Sequence, residues 1–275
     1  MKTALTIAGS DSSGGAGIQA DLKTFQAHGV FGMSAITAVT VQNTRTVNDV
    51  QELRPELVDG QIRCLFDDIK IHAVKIGMVS SIELIRAVSG ALEASLAACS
   101  DPPPVVVDPV MISKSGYDLL RPDARIELVS RLFPLAAVVT PNIHEAGALV
   151  GGSIRNEKEM KEAARKILDL GASAVVVKGG HLENRPAVDI LFDGDSFQEL
   201  VSERIPTRNT HGTGCTFSSA IAAGLALGRP FFEAVTEAKT YITGAIKHAP
   251  DIGKGCGPTH HFFDLYRKAG LDHRF

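Results

Sequence analysis

Leu5-Thr6-Ile7-Ala8-Gly9-Ser10-Asp11-Ser12-Ser13-Gly14-Gly15-Ala16-Gly17-Ile18-Gln19-Ala20 decides the fold class. An apolar, β-branched run enters a glycine-rich turn, and the chain leaves it with Ile18, Leu22 and Phe25 on one helical face. This reads as a strand, a tight turn and a helix. The pattern recurs. Apolar runs follow at Ile36 to Gln42, Ala73 to Met78, Val105 to Val110, Ala137 to Thr140, Ala174 to Lys178 and Val188 to Phe192. Helix signals separate them. Ser80-Ser81-Ile82-Glu83 has capping-box spacing, Asn156-Glu157-Lys158-Glu159 imitates it before a segment that stops at Gly171, and Phe217, Ile221 and Leu225 share a face. Strands alternating with helices predict βαβ units, hence an α/β fold with a mostly parallel central sheet. Val188 to Phe192 and Gln198 to Ile205, joined through Gly194-Asp195, predict a hairpin at a sheet edge.

No linker divides the 275 residues, so one domain over 1–275 is expected. Hydrophobic residues make up 44% of the chain with no Trp and three Tyr, which requires an aliphatic core of the kind parallel sheets bury under helices. The 28 basic and 31 acidic residues give a net charge of −3 with no charge run, which excludes a nucleic-acid or acidic-lipid footprint. Cys64, Cys99, Cys215 and Cys256 lie far apart without zinc-ligand spacing, and read as reduced thiols. The first residues lack a signal-peptide apolar core and no stretch approaches a membrane span, so the expected location is the cytoplasm, with no membrane partner.

Two glycine-rich turns carry the chemistry. In the first, Gly9 and Gly14 have P-loop spacing, but Gly15-Ala16 stands where Lys and Ser/Thr must contact phosphate and magnesium. Gly15-Ala16-Gly17 also fits a relaxed dinucleotide fingerprint, yet the second strand ends in Gln42-Asn43-Thr44 rather than in an acid that would hold a ribose. A tight turn explains these glycines as well as a ligand does. The second turn, Asn209-Thr210-His211-Gly212-Thr213-Gly214-Cys215, opens directly into the Phe217 helix. Amides at such a helix mouth form an anion hole, and the position should depress the Cys215 pKa toward thiolate. For a lone Gly-x-Gly, a bare turn with an inert cysteine is the favoured reading. His211 reads as a turn residue, because nothing beside it resembles the orienting group of a Cys-His dyad.

Thr-His-Gly-Thr-Gly-Cys, together with Pro141-Asn142-Ile143-His144-Glu145, resembles the paired signatures of ribokinase-like small-molecule kinases. That superfamily usually ends its C-terminal motif in Gly-Ala-Gly-Asp. Cys215 in the Asp position, and Asn209 where many relatives carry an acid, are similar to one branch, the hydroxymethylpyrimidine/phosphomethylpyrimidine kinases of thiamine biosynthesis. The likeness extends through Val39-Thr40-Val41-Gln42-Asn43-Thr44, Lys75-Ile76-Gly77-Met78, Val107-Asp108-Pro109-Val110-Met111 and Val177-Lys178-Gly179-Gly180-His181. It implies a three-layer α/β/α sandwich and an ATP- and Mg²⁺-dependent kinase of 4-amino-5-hydroxymethyl-2-methylpyrimidine and its monophosphate. It also implies a homodimer.

The resemblance assigns roles. Gly212, Thr213, Gly214 and the Cys215 backbone would hold the migrating phosphoryl group, and Cys215 would take the acceptor proton late or orient the hydroxyl. Asn142 and Glu145 would hold magnesium through water. Asp108, at a strand end, would assist the metal or phosphates, or cap a turn. Lys178 would neutralise nucleotide charge, or be a solvated strand-end lysine. Gln42 presents a donor beside an acceptor, matching the ring nitrogen and amine of a 4-aminopyrimidine. Asp21, Gly9, Ala16 and Met78 are carried over as substrate contacts, with a solvated helix residue and core filler as the bland alternatives for Asp21 and Met78. Pyridoxal kinase is the nearest rival activity; a dinucleotide-binding oxidoreductase and a catalytically silent binder are rivals of other classes.

Overall fold

A computed structural model describes residues 1–112, 116–117, 119–121, 123–180 and 186–271; His181 of the lysine-glycine motif lies outside them. The described strands are β1 (Thr3–Asp11), β2 (Phe31–Gln42), β3 (Val47–Glu52), β4 (Ala73–Ile76), β5 (Val105–Val107), β6 (Val138–Val139), β7 (Val175–Val177), β8 (Ala187–Phe192) and β9 (Phe197–Ser202). They form one sheet in the order β3-β2-β1-β4-β5-β6-β7-β8-β9. The centre, from β2 through β7, is parallel; β3 at one edge and β8 at the other run against it, and β9 pairs antiparallel with β8.

Alternation along the short strands builds two cores. Val105 and Val107 join Val58 and Ile62 of α2 (Pro55–Asp68), Leu84 and Val88 of α3 (Ile82–Ala98), Leu128 of α4 (Ala124–Leu132) and Met160 of α6 (Glu157–Leu168). Val106, between them, joins Phe25 of α1 (Gly17–Ala27), Phe217 and Ile221 of α7 (Thr213–Ala226) and Val235 of α8 (Phe231–Lys247). Each such buried side chain contributes on the order of 2 kcal/mol. The result is the α/β/α sandwich implied by the resemblance. Because α1 covers one face and α2 and α3 the other, the connections reverse direction between β1 and β4, and a crevice opens at the carboxyl ends of the parallel strands.

The β8–β9 hairpin forms as expected, its turn held by Asp193 Oδ1 accepting from the N–H groups of Asp195 and Ser196. The capping box at Ser80 does not form. Ser81 is the N-cap and its side chain caps nothing; the Ser80 and Ser81 hydroxyls instead donate to the Glu52 carboxylate at 2.9 Å each. Glu52 ends β3, the strand that the sequence pattern missed. At Asn156 only half of the imitation is realised: its side chain accepts from Glu159 N–H, but the Glu159 carboxylate takes Arg155 N–H instead of the N-cap amide.

Candidate active site

A cavity of about 840 Å³ runs along the carboxyl edge of the sheet, where the two glycine turns meet. Asp11, the last residue of β1, joins them. Its Oδ2 accepts from the N–H groups of Gly15 and Ala16 and lies 2.8 Å from His211 Nε2, while its Oδ1 accepts from Ser13 N–H. Burial would raise the Asp11 carboxyl, but the His211 and Ser13 hydrogen bonds outweigh it and hold the pKa at about 2. His211 is therefore a structural tie between both loops rather than a plain turn residue. Gly212 has φ 73°, and a Cβ there would collide with the Gly15 carbonyl, so the second turn can approach the first only with glycine.

Behind this junction α7 begins. Thr213 N–H donates to Thr210 O at 3.3 Å and the first N–H returned to the helix is that of Thr216, to Gly212 O at 2.8 Å, which leaves the amides of Gly214 and Cys215 at the cavity wall formed by Gly212, Thr213, Gly214 and Cys215. A Cβ on Gly214 would lie 3.3 Å from Asp108 Oδ2 and 3.4 Å from Lys178 Nζ. The helix mouth thus abuts an ion pair. Lys178 Nζ sits 2.8 Å from Asp108 Oδ1, which also accepts from the Thr140 hydroxyl at 3.1 Å. Burial opposes the Lys178 charge, yet Asp108 and Glu145 outweigh it and raise the pKa. Lys178 is not a solvated strand-end lysine: its side chain is 15% exposed. Farther along, Lys239 pairs with Asp189 at 2.7 Å, and Asp189 accepts from Gly179 N–H, fixing the turn after β7.

At the opposite end Gly9, Ala16, Gln42 and Met78 line the cavity. Gln42 Oε1 accepts from the Thr40 hydroxyl at 3.1 Å, and its Nε2 lies 3.3 Å from His211 Nε2. Gly9 lets Met78 lean in, since a Cβ there would stand 3.1 Å from its Sδ. Met78 is half-buried cavity wall, not core filler.

Two expectations are overturned. Asp21 does not line the cavity; it is fully buried, and its carboxylate takes Lys75 Nζ at 2.9 and 3.0 Å, the Thr6 hydroxyl at 2.6 Å and the Ser219 hydroxyl at 2.7 Å. With every acceptor site engaged behind the wall, it cannot contact a substrate. Cys215 is not poised as a thiolate. Burial pushes its thiol up to about 11, and Asp21 and Asp108 add to the rise, against the opposing pull of Lys75 and the Gly17 N–H. Desolvation exceeds what the helix mouth supplies.

Residues 11–260 match the family described as phosphomethylpyrimidine kinase. The chain belongs to the phosphomethylpyrimidine kinase family. It is 53% identical over 262 residues to a hydroxymethylpyrimidine/phosphomethylpyrimidine kinase of Rhizobium meliloti (strain 1021), covering 94% of this chain and 96% of that one. It is 51% identical to a thiamine biosynthesis bifunctional protein of Geobacter sulfurreducens; the match covers 94% of this chain and 51% of that longer protein. Among solved structures, an ADP complex of Bacillus subtilis pyridoxal kinase superimposes with a TM-score of 0.87 at 42% identity, covering 95% of this chain and 98% of that one.

This phosphomethylpyrimidine kinase family member uses the amide and carboxylate of its N-x-x-E motif as a helix cap. Asn142 and Glu145 form a complete capping box at the start of α5 (Ile143–Val150): Asn142 accepts from the N–H groups of His144 and Glu145, and Glu145 Oε2 accepts from Asn142 N–H at 2.8 Å. Burial pushes the Glu145 carboxyl up to about 7 and Asp108 adds to it, while Lys178 pulls down. Such an under-compensated carboxylate fits a cation. Among the described residues no group of three or more His, Cys, Asp and Glu could hold a metal.

A stability prediction follows from Glu145. Its folded pKa exceeds its unfolded value of 4.5, so the ligand-free fold loses stability as pH rises from 4.5 toward about 7. Glu145→Gln removes that penalty. It should raise Tm by a few degrees at pH 8, about 1–2 kcal/mol, with no gain below pH 4.5, as thermal denaturation will show.

Asp11, Lys75, Asp189 and Lys239 are site residues that the sequence pattern did not single out, and His211 is one that it read only as a turn residue. Lys75 and Asp189 had a signal, a charge inside an apolar strand run, which implies a buried partner. Asp11 followed by Ser13 is a side-chain turn cue.

Proposed function

We propose that this chain, folding as one domain over its 275 residues, transfers the γ-phosphoryl group of ATP to the hydroxymethyl oxygen of 4-amino-5-hydroxymethyl-2-methylpyrimidine. It then phosphorylates the resulting monophosphate, within thiamine biosynthesis. One observation carries the reading: a single cavity has an anion-binding helix mouth beside Lys178 at one wall and the amide of Gln42 with Met78 at another. Gln42 pairs the aminopyrimidine edge and Met78 covers the ring. The amides of Gly214 and Cys215 grip the migrating group, and Lys178 neutralises phosphate charge. Glu145 would hold Mg²⁺ through water, with Asn142 fixing the Glu145 side chain; the ion neutralises charge on the phosphates.

In the transfer, the acceptor oxygen bonds to the γ-phosphorus, and the bond to the bridging oxygen breaks with its electron pair left on ADP. The hydroxyl proton passes to Cys215 in its thiolate form, a minor population at neutral pH because the thiol titrates near 11.

Purified protein in a coupled ATP-consumption assay tests this against pyridoxal, the acceptor that the Bacillus subtilis likeness supports. Hydroxymethylpyrimidine and its monophosphate should both turn over with higher kcat/KM than pyridoxal. Equal or greater turnover of pyridoxal would overturn the substrate assignment.

The chain is also proposed to act as a homodimer. Val39 and Val41, two apart on β2, are 44% and 56% exposed beside the edge strand β3, an apolar stripe on a sheet surface. Val39→Glu with Val41→Glu should convert the protein to a monomer in light scattering; an unchanged mass would reject this interface. Among the described residues no helix is long and apolar enough to cross a membrane, and Cys64, Cys99, Cys215 and Cys256 are free thiols, which supports placement in the cytoplasm.

A further inference from the structure

The chain buries an ion pair against α7, tied to it at Ser219, one helical turn past Cys215. Lys75 on β4 and Asp21 on α1 are both 0% exposed. Lys75 stands in register with Thr6 of β1, whose hydroxyl donates to the same carboxylate. The remaining donor is Ser219, four residues after Cys215 on α7 and so one turn beneath it on the same face. A buried ion pair is seldom better for stability than apolar residues of the same volume, so its place in the sheet, with Lys75 in register with the buried Val106, suggests another use.

The two charges are not equivalent. Lys75, though fully buried, borders the cavity, and Asp21 does not. The ammonium runs toward the open end of β4, where a Cβ on Gly77 would stand 2.6 Å from Nζ, so glycine there makes room for the charge. We propose that Lys75 is a positioning residue for phosphoryl transfer: clamped by Asp21, Thr6 and Ser219, it keeps a fixed positive charge beneath the Cys215 sulfur and stabilises the thiolate that accepts the hydroxyl proton. This rests on Cys215 being the proton acceptor. The charged groups around the sulfur are Lys75 on β4, Asp21 on α1, Asp108 after β5 and Lys178 after β7; of the influences on its titration, Lys75 is the largest that favours ionisation, and Asp21 and Asp108 oppose it. His211, ahead of α7, is turned to Asp11.

The test reads the sulfur itself. Iodoacetamide labelling of Cys215, followed by the mass of its peptide across pH 7–10, reports thiolate directly. Lys75→Met should slow labelling at pH 8 about tenfold and move the profile to higher pH by about one unit. Asp21→Asn, which keeps the cation and removes the anion, should speed labelling and move the profile down. A merely structural pair predicts the same sign for both, since either change loosens the packing around the sulfur. Lys75→Met labelling as fast as the parent overturns the proposal. If that variant does not fold, Asp21→Asn decides alone: unchanged or slower labelling overturns it. The double variant Lys75→Met with Asp21→Asn, which removes both charges, should label between the two singles. Loss of kcat in Lys75→Met with nucleotide KM retained extends the effect to turnover. Should Cys215→Ala keep full kcat, the proton-acceptor reading fails, while the labelling shifts still report whether Lys75 sets the sulfur's charge.

Discussion

Cys215→Ala is expected to lower kcat by about 10²- to 10⁴-fold, the usual span for loss of a positioned proton acceptor, while nucleotide KM changes little. The amide at position 215 survives the substitution, so the anion hole at the start of α7 persists and binding with it. Only the sulfur is lost. The pH profile sharpens the test. Because burial holds the thiol near 11, the active ionised form grows about tenfold per pH unit below that value, and kcat of the parent should climb from pH 7 to 10 without a plateau. The alanine variant should show a flat profile. A parent profile that levels off near neutrality, or a variant with unchanged kcat, would remove Cys215 from proton transfer; the loose transition state of phosphoryl transfer would then be served by positioning alone.

Gly212→Ala is expected to damage both stability and turnover. The residue has φ 73°, where a Cβ costs roughly 1–2 kcal/mol in itself. The added carbon would also strike the Gly15 carbonyl and crowd Ala16 Cα, backbone atoms that have no rotamer by which to yield. The two glycine turns must separate, which stretches the Asp11–His211 contact of 2.8 Å and moves the mouth of α7 away from Lys178. We expect kcat/KM to fall by at least about 100-fold, since small misplacements of a reacting group have such costs. Gly228→Ala is the control. Its φ is 85°, but nothing lies within 4 Å of the added carbon, so it should cost only the local conformational strain and leave kcat/KM unchanged. Equal losses in both variants would mean that strain alone, and not the loop junction, is responsible.

The fold was legible because β4 to β7 are short, rich in β-branched residues and buried on both faces, so each appears as an apolar run between helix signals; Val105, Val106 and Val107 are all at most 1% exposed. What escaped was β3. Val47-Asn48-Asp49-Val50-Gln51-Glu52 is an edge strand with a single buried residue, Val47, and its identity comes from pairing with β2 rather than from its own composition. The phosphate end of the site was legible for a similar reason: a helix mouth after Gly212 and Gly214 is a local feature. Asp21 shows the limit. Its helix spacing places it on the Ile18 and Phe25 face, but only the tertiary fold reveals that Lys75, from a strand 54 residues away, occupies that layer. Cys215 shows another. A helix start argues for a low pKa and burial for a high one, and the sequence supplies the first without the second. The metal side lies between these cases, since N-x-x-E marks Asn142 and Glu145 whether the pattern serves a cap, a cation or both, and in this fold the cap is complete.

The most direct measurement is a crystal structure with a non-hydrolysable ATP analogue and hydroxymethylpyrimidine bound together. The γ-phosphate oxygens should lie at hydrogen-bond distance, about 3 Å, from the backbone amides of Gly214 and Cys215, with the acceptor hydroxyl between the phosphorus and the Cys215 sulfur. A γ-phosphate seated elsewhere, with those amides facing only solvent or the pyrimidine, would contradict the account.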